Sequence, residues 1–504
     1  MKIKNTFVGL GALLLLINSS CVEDLGNYTY TDGESVIPVV ISEIQDNIVV
    51  KKGERLEITP VLKNVSDESK YAYSWYVTPS VTGGVLPEKT VLGDTKNLDV
   101  VIRLELGGYF LSCEVRDVER DVYVRHQTLL TVNASDVTTG WYVLKDIDNE
   151  TDFDYINNDG VIYPDVLLNL ASPLNSRLKG TAIAMAYQST RYYHQQTDAD
   201  GKVTTLANQS ALHILSSEDI KTFNAKDLVL FKNYRDEFYI APEVCRPQYI
   251  KFANTDLFML NDGQIYAIYG MMASVGKFGG SAPGSYTMHN DLIGGFYGGM
   301  IFDLKNHTFY FVNAYGPAIT TFPDKKATED SPALPLANMD YTLVNLLTAN
   351  ESVTTTGYAV MKSVSKDEYY LGTVAFSNGS ACPITAFDAI PSGCEFPLAP
   401  VKLAPRTGNF VYFADGNKLS VYKNASGLAD RESVLKEFPA GETISYLLNP
   451  DTNPNYLVVL TNSSSGWKMY FFTITGPGNP EFEPEATVTY QGTGSGRFII
   501  YRRS

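Results

Sequence analysis

The sequence predicts an all-β protein, built as a small β-sandwich followed by a β-propeller-like domain. Three observations predict it. Short alternating or β-branched runs recur along the chain, separated by clusters of Asn, Asp, Gly and Pro. Aromatic residues make up 12% of the chain, with 33 Tyr and 24 Phe against 3 Trp, a bias that strands favour. Convincing amphipathic helical windows are almost absent; Ser217 to Thr222 and Asn338 to Leu347 offer a helical turn or two at most.

Residues 36–135 form the first domain. Arg55 to Thr59, Tyr71 to Val77, Leu98 to Leu104, Phe110 to Arg116 and Val122 to Val132 read as its strands. Trp75 is placed to anchor two sheets, and Gly107, Gly108 and Tyr109 form a corner before a late strand. This pattern is that of an immunoglobulin-like sandwich, in which two sheets bury their apolar faces against each other.

Residues 140–504 have a different rhythm. Apolar strand, tight Asx/Gly turn and Tyr-rich strand recur at Asp256 to Tyr269, Gly299 to Val312, Tyr369 to Phe387, Phe410 to Tyr422 and Tyr456 to Thr475. Such turns tolerate left-handed backbone and suit hairpins. A spacing of roughly 40 to 50 residues per unit points to propeller blades. The length holds about seven, with Phe498 to Tyr501 available to close the ring. Two further sandwiches are the alternative.

The chain opens like an exported precursor. Lys2 and Lys4 precede an apolar run from Phe7 to Ile17, which is too short to span a bilayer. Residues 1–20 are read as a signal peptide and 21–35 as a tether. Ser19 and Ser20 lead into Cys21, a lipoprotein-type cleavage site with Cys21 as the acylated residue. A soluble secreted protein cut near Ser20 is the alternative. Acyl chains at about 0.8 kcal/mol per buried CH₂ would hold the chain to a membrane. Val22, Glu23 and Asp24 resemble an acidic signal for the outer face of the outer membrane, and would otherwise serve as a solvated tether.

Composition excludes some functions. The formal charge is −16, which argues against nucleic acid, whose phosphates demand clustered Lys and Arg. Five cysteines include no CxxC pair, so no zinc ribbon or thioredoxin motif is present. After acylation of Cys21, Cys382 and Cys394 are close enough to close a short disulfide loop, and Cys113 and Cys245 read as buried thiols. His126, His194, His213, His289 and His307 form no HExxH, and neither a GxSxG elbow nor a P-loop occurs. The expectation is a non-enzyme with no cofactor, calcium being the exception weighed. Asp146, Asp148, Glu150 and Asp152 alternate along one segment and could present oxygens to Ca²⁺, or form a solvated acidic loop. Gly270 to Gly299 reads as a long Gly-rich loop in which Phe278, Tyr286, His289 and Asp291 could line a binding mouth. Tyr192 and Tyr193 make a second aromatic cluster. Alternatively, both groups fold back onto their own domain.

Several of these elements together resemble the PKD-like lipoprotein family. They are Cys21, Asp24 to Tyr30 (DLGNYTY), Tyr73 to Trp75, Gly108 with Tyr109, Gly140 to Leu144 (GWYVL) and Tyr490 to Tyr501 (YQGTGSGRFIIY). Val77 to Ser80 stands where a PKD repeat usually has Gly-Asp-Gly. The resemblance implies a surface-exposed, lipid-anchored outer-membrane protein in the company of SusC/SusD-type importers. It implies an accessory role in capturing oligopeptide or glycan, and brings no catalytic residues. The alternatives are an assembly subunit docking on the importer without a ligand of its own, or a surface hydrolase.

Overall fold

Thirty-seven strands and a few single-turn helices make up the described chain. The computed structural model describes residues 39–503, apart from 66, 81–87, 136, 172, 198–199, 255, 271–275, 328–331 and 426–429. The signal segment, tether and Cys21 lie outside the described residues. Two compact units are present. Among the described residues, one takes in 39–48, 57–100 and 108–130, and the other 49–56, 101–107 and 131–503.

The first unit is organised by a sheet in which Gly107–Asp117 lies beside Tyr71–Pro79. Their register sets Trp75 opposite Cys113. Trp75 is fully enclosed, and its indole N–H donates to the carbonyls of Thr95 at 3.1 Å and Lys96 at 3.2 Å. A buried indole needs such an acceptor. Leu111, Cys113 and Val115 alternate onto the same buried face, as a period-two strand requires. Burial pushes the Cys113 thiol up to about 12, so it is an inert core residue.

The second unit is a seven-bladed ring. Six sheets follow one another along the chain: residues 182–232, 247–268, 288–321, 341–390, 401–437 and 443–492, here blades one to six. Among the described residues blade two has three strands and the other five of these sheets four. Blade seven is composite. Gly140–Ile147, Glu150–Asn157 and Ile162–Tyr163 come from the start of the unit, and Ser495–Arg502 from the end of the chain. In each blade the strand nearest the axis adjoins its counterpart in the next blade, and the circuit returns to its start. The ring therefore closes through Ser495–Arg502, which pairs antiparallel with Gly140–Ile147 from Gly140 opposite Arg502 to Asp146 opposite Ser495.

Hairpin chemistry accounts for the blades locally. Asp256–Asn261 returns as Gln264–Ile268 through Asp262 and Gly263, at φ 52° and 72°. Two consecutive positive φ values match the twist of the strands they join. Blade one is larger than the repeat spacing predicts, because Ala182–Thr197 and Val203–Ser216 form one long hairpin. Both predicted helical turns are replaced mainly by strand, Ile220–Asn224 and Tyr341–Asn350. Their polar-apolar spacing fits either period, and sheet pairing decides.

Cys382 and Cys394 are free thiols, which corrects the predicted disulfide. The strand Ile384–Ile390 runs between them. Cys382 packs with the core shared by blades three and four, and Cys394 with the core shared by blades four and five. Cys245 is half-buried, not buried, and donates to the Glu218 carbonyl at 3.1 Å.

Arg502 secures the closure. It is 4% exposed, and its Nη1 donates to the Val137 carbonyl at 2.8 Å, to the Tyr142 hydroxyl at 3.0 Å and to the Ala225 carbonyl. Its guanidinium lies 4.8 Å over the Tyr187 ring. Removing it strands buried acceptors. Arg502→Ala is expected to destabilise the head by roughly 3 kcal/mol, read as a lower urea midpoint at unchanged slope.

Candidate functional site

The seven innermost strands surround an axial channel, and the side chains along it come from different blades. Tyr187 is on blade one, Tyr249 and Lys251 on blade two, Asp291 on blade three, Lys402 on blade five and Tyr446 on blade six. Phe498 is on the closing strand. Two adjoining cavities, of about 310 and 390 Å³, share Tyr249, Lys251, Asp291 and Tyr446. Each inner strand turns one face to the axis, so alternate residues reach it.

The charges in the channel are unequally met. Lys251 is paired with Glu351. Asp291 Oδ2 accepts from the Leu346 amide at 3.0 Å. The Asp291 amide donates to His289 Nδ1 at 3.1 Å. Lys402 donates to the Asn345 side-chain oxygen at 2.8 Å and to the Ala399 carbonyl. Arg406 donates to the Asn350 side-chain oxygen at 2.9 Å, and its backbone amide donates to Asn449 Oδ1 at 2.9 Å. Two cations thus bond to neutral oxygens, in a chain whose formal charge is −16. Burial pushes Lys402 down to about 8, against the opposing pull of Asp291. Burial, then the charges of Asp291 and Glu351, push the Tyr249 phenol well above its ordinary range, and it donates to the Leu292 carbonyl at 3.2 Å. This arrangement can hold an anionic group beside aromatic faces.

The sequence-predicted residues do not assemble into one mouth. Asp291 lines the channel, with His289 beside it. Tyr192 and Phe278 are fully buried, and Tyr286 is 5% exposed. Tyr286 donates back to the Ala282 carbonyl at 2.6 Å. Tyr193 is half-buried. Tyr192 belongs to an enclosed polar cluster in which Lys232 lies 4.8 Å over its ring and His213 Nδ1 is 2.7 Å from Thr222 Oγ1. Burial pushes His213 down to about 3 and Glu237 up to about 7. The cluster holds the following segment in place, since Lys232 donates to the Gly276 carbonyl and the Phe278 amide to the Glu237 carbonyl. Residues 276–286 fold back because Phe278 enters the core shared by blades one and two and Tyr286 the core shared by blades two and three.

The proposed calcium ligands also part company. Asp148 and Asn149, at φ 53° and 63°, form the turn between Gly140–Ile147 and Glu150–Asn157. The pleat sends Asp146 and Asp152 to opposite faces, since Lys145 opposes Asp152 while Asp146 opposes Thr151. Asp146 takes the Arg497 guanidinium at 2.5 Å. Asp152 is buried, accepts from the amides of Phe153 and Leu167 at 2.8 Å, and is pushed up to about 7 by burial, then by Asp165. Beside it, Lys145 bridges Asp154 at 2.5 Å and Asp165 at 3.0 Å, and the Trp467 indole donates to Asp154 at 2.9 Å. These are structural ion pairs inside a blade. Among the described residues no group of three or more His, Cys, Asp or Glu could hold a metal ion.

Sequence reasoning missed Lys251, Lys402, Arg406, Tyr249 and Tyr446. Tyr249 and Lys251 share one strand, and Lys402, Arg406 and Tyr446 come from other segments, so no local motif marks them. The signal was a polar residue inside the first strand of successive units, such as Lys402 between Val401 and Leu403.

Residues 21–181 match the model of the PKD-like family. No curated protein matches the chain. Among solved structures, a quinoprotein alcohol dehydrogenase-like protein from Bacteroides thetaiotaomicron is similar at 14% identity, with a TM-score of 0.43, 91% of this chain and 97% of that chain covered. The Dos1 propeller is similar at 10% identity and a TM-score of 0.35, covering 75% of this chain and 91% of that one. The WD40 domain of SCAP from fission yeast is similar at 7% identity and 0.29, covering 61% and 77%.

The lowered Lys402 makes a pH prediction. An unfolded lysine keeps its proton to about pH 10, whereas folded Lys402 releases it near 8. The unfolded chain then binds more protons between these values, so stability rises with pH through that window. The rise in urea midpoint from pH 7 to pH 10 is expected to be smaller in Lys402→Met than in the parent.

Proposed function

We propose that this protein is a non-catalytic cell-surface lipoprotein, anchored through Cys21, that serves as an accessory substrate-binding component of a SusC/SusD-type uptake system. Its propeller captures oligopeptide or glycan at the axial channel. The single observation that carries this reading is the channel, where aromatic faces from several blades surround Lys402 and Arg406, cations bonded to neutral oxygens. A preformed cavity with a few converging polar groups is the usual form of a ligand site. Those two cations favour ligands that carry a carboxylate, such as peptide termini and uronic acids. The lipoprotein-type start of the sequence and the PKD-like match over residues 21–181 support the location.

A docking role without a ligand has one observation in its favour. Tyr239, Ile240 and Val244, on the surface beside blade two, are 59%, 87% and 49% exposed. Apolar side chains that stand out together in this way suit a protein contact.

Calorimetric titration with acidic and neutral oligopeptide and oligosaccharide pools tests the capture reading. Saturable heat with a carboxylate-bearing pool is expected, weakened at least about tenfold (~1.4 kcal/mol) by Arg406→Ala. Absence of heat with every pool, together with recovery of importer components in a native pulldown, would leave docking as the role. Cys21→Ser is expected to move the protein from the membrane pellet to the soluble fraction; retention in the pellet would refute the lipid anchor.

A further inference from the structure

A second concave site lies at the seam between blades six and seven, away from the channel residues. Its aromatic side chains are Trp141, Tyr501, Tyr456, Phe471 and Tyr490, drawn from five strands of the two blades. The Trp141 ring lies 5.0 Å from Phe471 and 4.8 Å from Tyr501, and Phe471 in turn contacts Tyr456 and Tyr490. They line a cavity of about 280 Å³. Trp75 and Trp467 are fully buried, but Trp141 is partly exposed.

The polar rim is distinctive. Residues lining the cleft include Asn157, Asn158 and Asn453, and none is charged, in a chain that is 19% charged. Arg503 and Asp451, each within two residues of the lining in sequence, are paired with each other at 3.2 Å. The three asparagines share one arrangement, in which the side-chain oxygen is occupied within the protein. Asn157 accepts from the amides of Asp159 at 3.0 Å and Val161 at 2.8 Å, Asn158 from the Tyr501 hydroxyl at 3.1 Å, and Asn453 from the Asn455 amide at 3.2 Å. Their NH₂ groups are the donors left for a ligand.

We propose that this cleft binds a neutral pyranose unit of an oligosaccharide. A sugar ring has an apolar C–H face that packs on an aromatic face, and a rim of hydroxyl oxygens that accept from amide N–H groups. An uncharged cleft discriminates against ionised ligands, which would lose hydration there without a partner. The site does not depend on the channel, whose cations call for the opposite ligand chemistry.

Trp141 provides the readout. The full chain is titrated with maltohexaose, cellohexaose, xylohexaose and mannohexaose while tryptophan emission is followed, with oligogalacturonate as the charged comparison. A saturable emission change with at least one neutral hexasaccharide is expected, with oligogalacturonate giving none. Trp141→Phe keeps an aromatic ring and is expected to remove the emission change. Tyr490→Ala, on the outermost strand of blade six, is expected to weaken calorimetric binding roughly tenfold while the protein stays folded at the titration temperature. Lys402→Met in the channel is expected to leave that binding unchanged. No saturable response to any neutral sugar would overturn the proposal. So would a response that persists in Trp141→Phe, or one lost in Lys402→Met, which would place sugar binding in the channel.

Discussion

The pairing of Ser495–Arg502 with Gly140–Ile147 is the constraint on which the head depends. Six blades in a row leave an unfilled wedge and two bare lateral faces. The seventh sheet exists only when strands from both ends of the unit meet. Closing a ring removes the exposed flanks that an open stack of sheets would carry. Arg502 ties this contact to the surrounding chain, bonding Val137, Tyr142 and Ala225 at once. Trp467 of blade six reaches Asp154 of blade seven in the same way.

Both concave sites follow from that closure. The channel is bounded by strands of successive blades, so its polar groups converge only in the closed ring. The aromatic cleft lies beside the closing strand itself, with Tyr501 on that strand and Trp141 on its partner. Phe471 belongs to the core between the two blades and also lines the cleft. The two sites differ in kind. One offers Lys402 and Arg406 to a charged group, while the other has an uncharged aromatic and amide lining.

Legibility in the sequence tracks the range of the interactions involved. Hairpins are legible because Asp262 and Gly263 specify a turn from adjacent residues. Trp75 is legible because a lone indole inside an apolar strand has few alternatives to burial. The closing role of Phe498 to Tyr501 is legible because an apolar strand at the chain's end needs a partner. Phe278 and Tyr286 mislead because a Gly-rich context resembles an open loop, while their rings are drawn into the blade cores; Tyr192 misleads because the Lys232 that covers its ring is distant in sequence. The acids from Asp146 to Asp152 mislead because alternation places them on two faces of a hairpin. Lys402 and Arg406 are illegible because their significance comes from neighbours contributed by other blades.

The register of the closing strand has a topological consequence. Gly140 lies directly opposite Arg502, so the chain enters and leaves the head at one place. The head is in effect a circle of sheets with a single cut, and nothing in the blade geometry requires the cut to be there. A short linker joining the two ends, with a new opening at a turn such as Asn462 to Gly466, would give a circular permutant with every sheet intact.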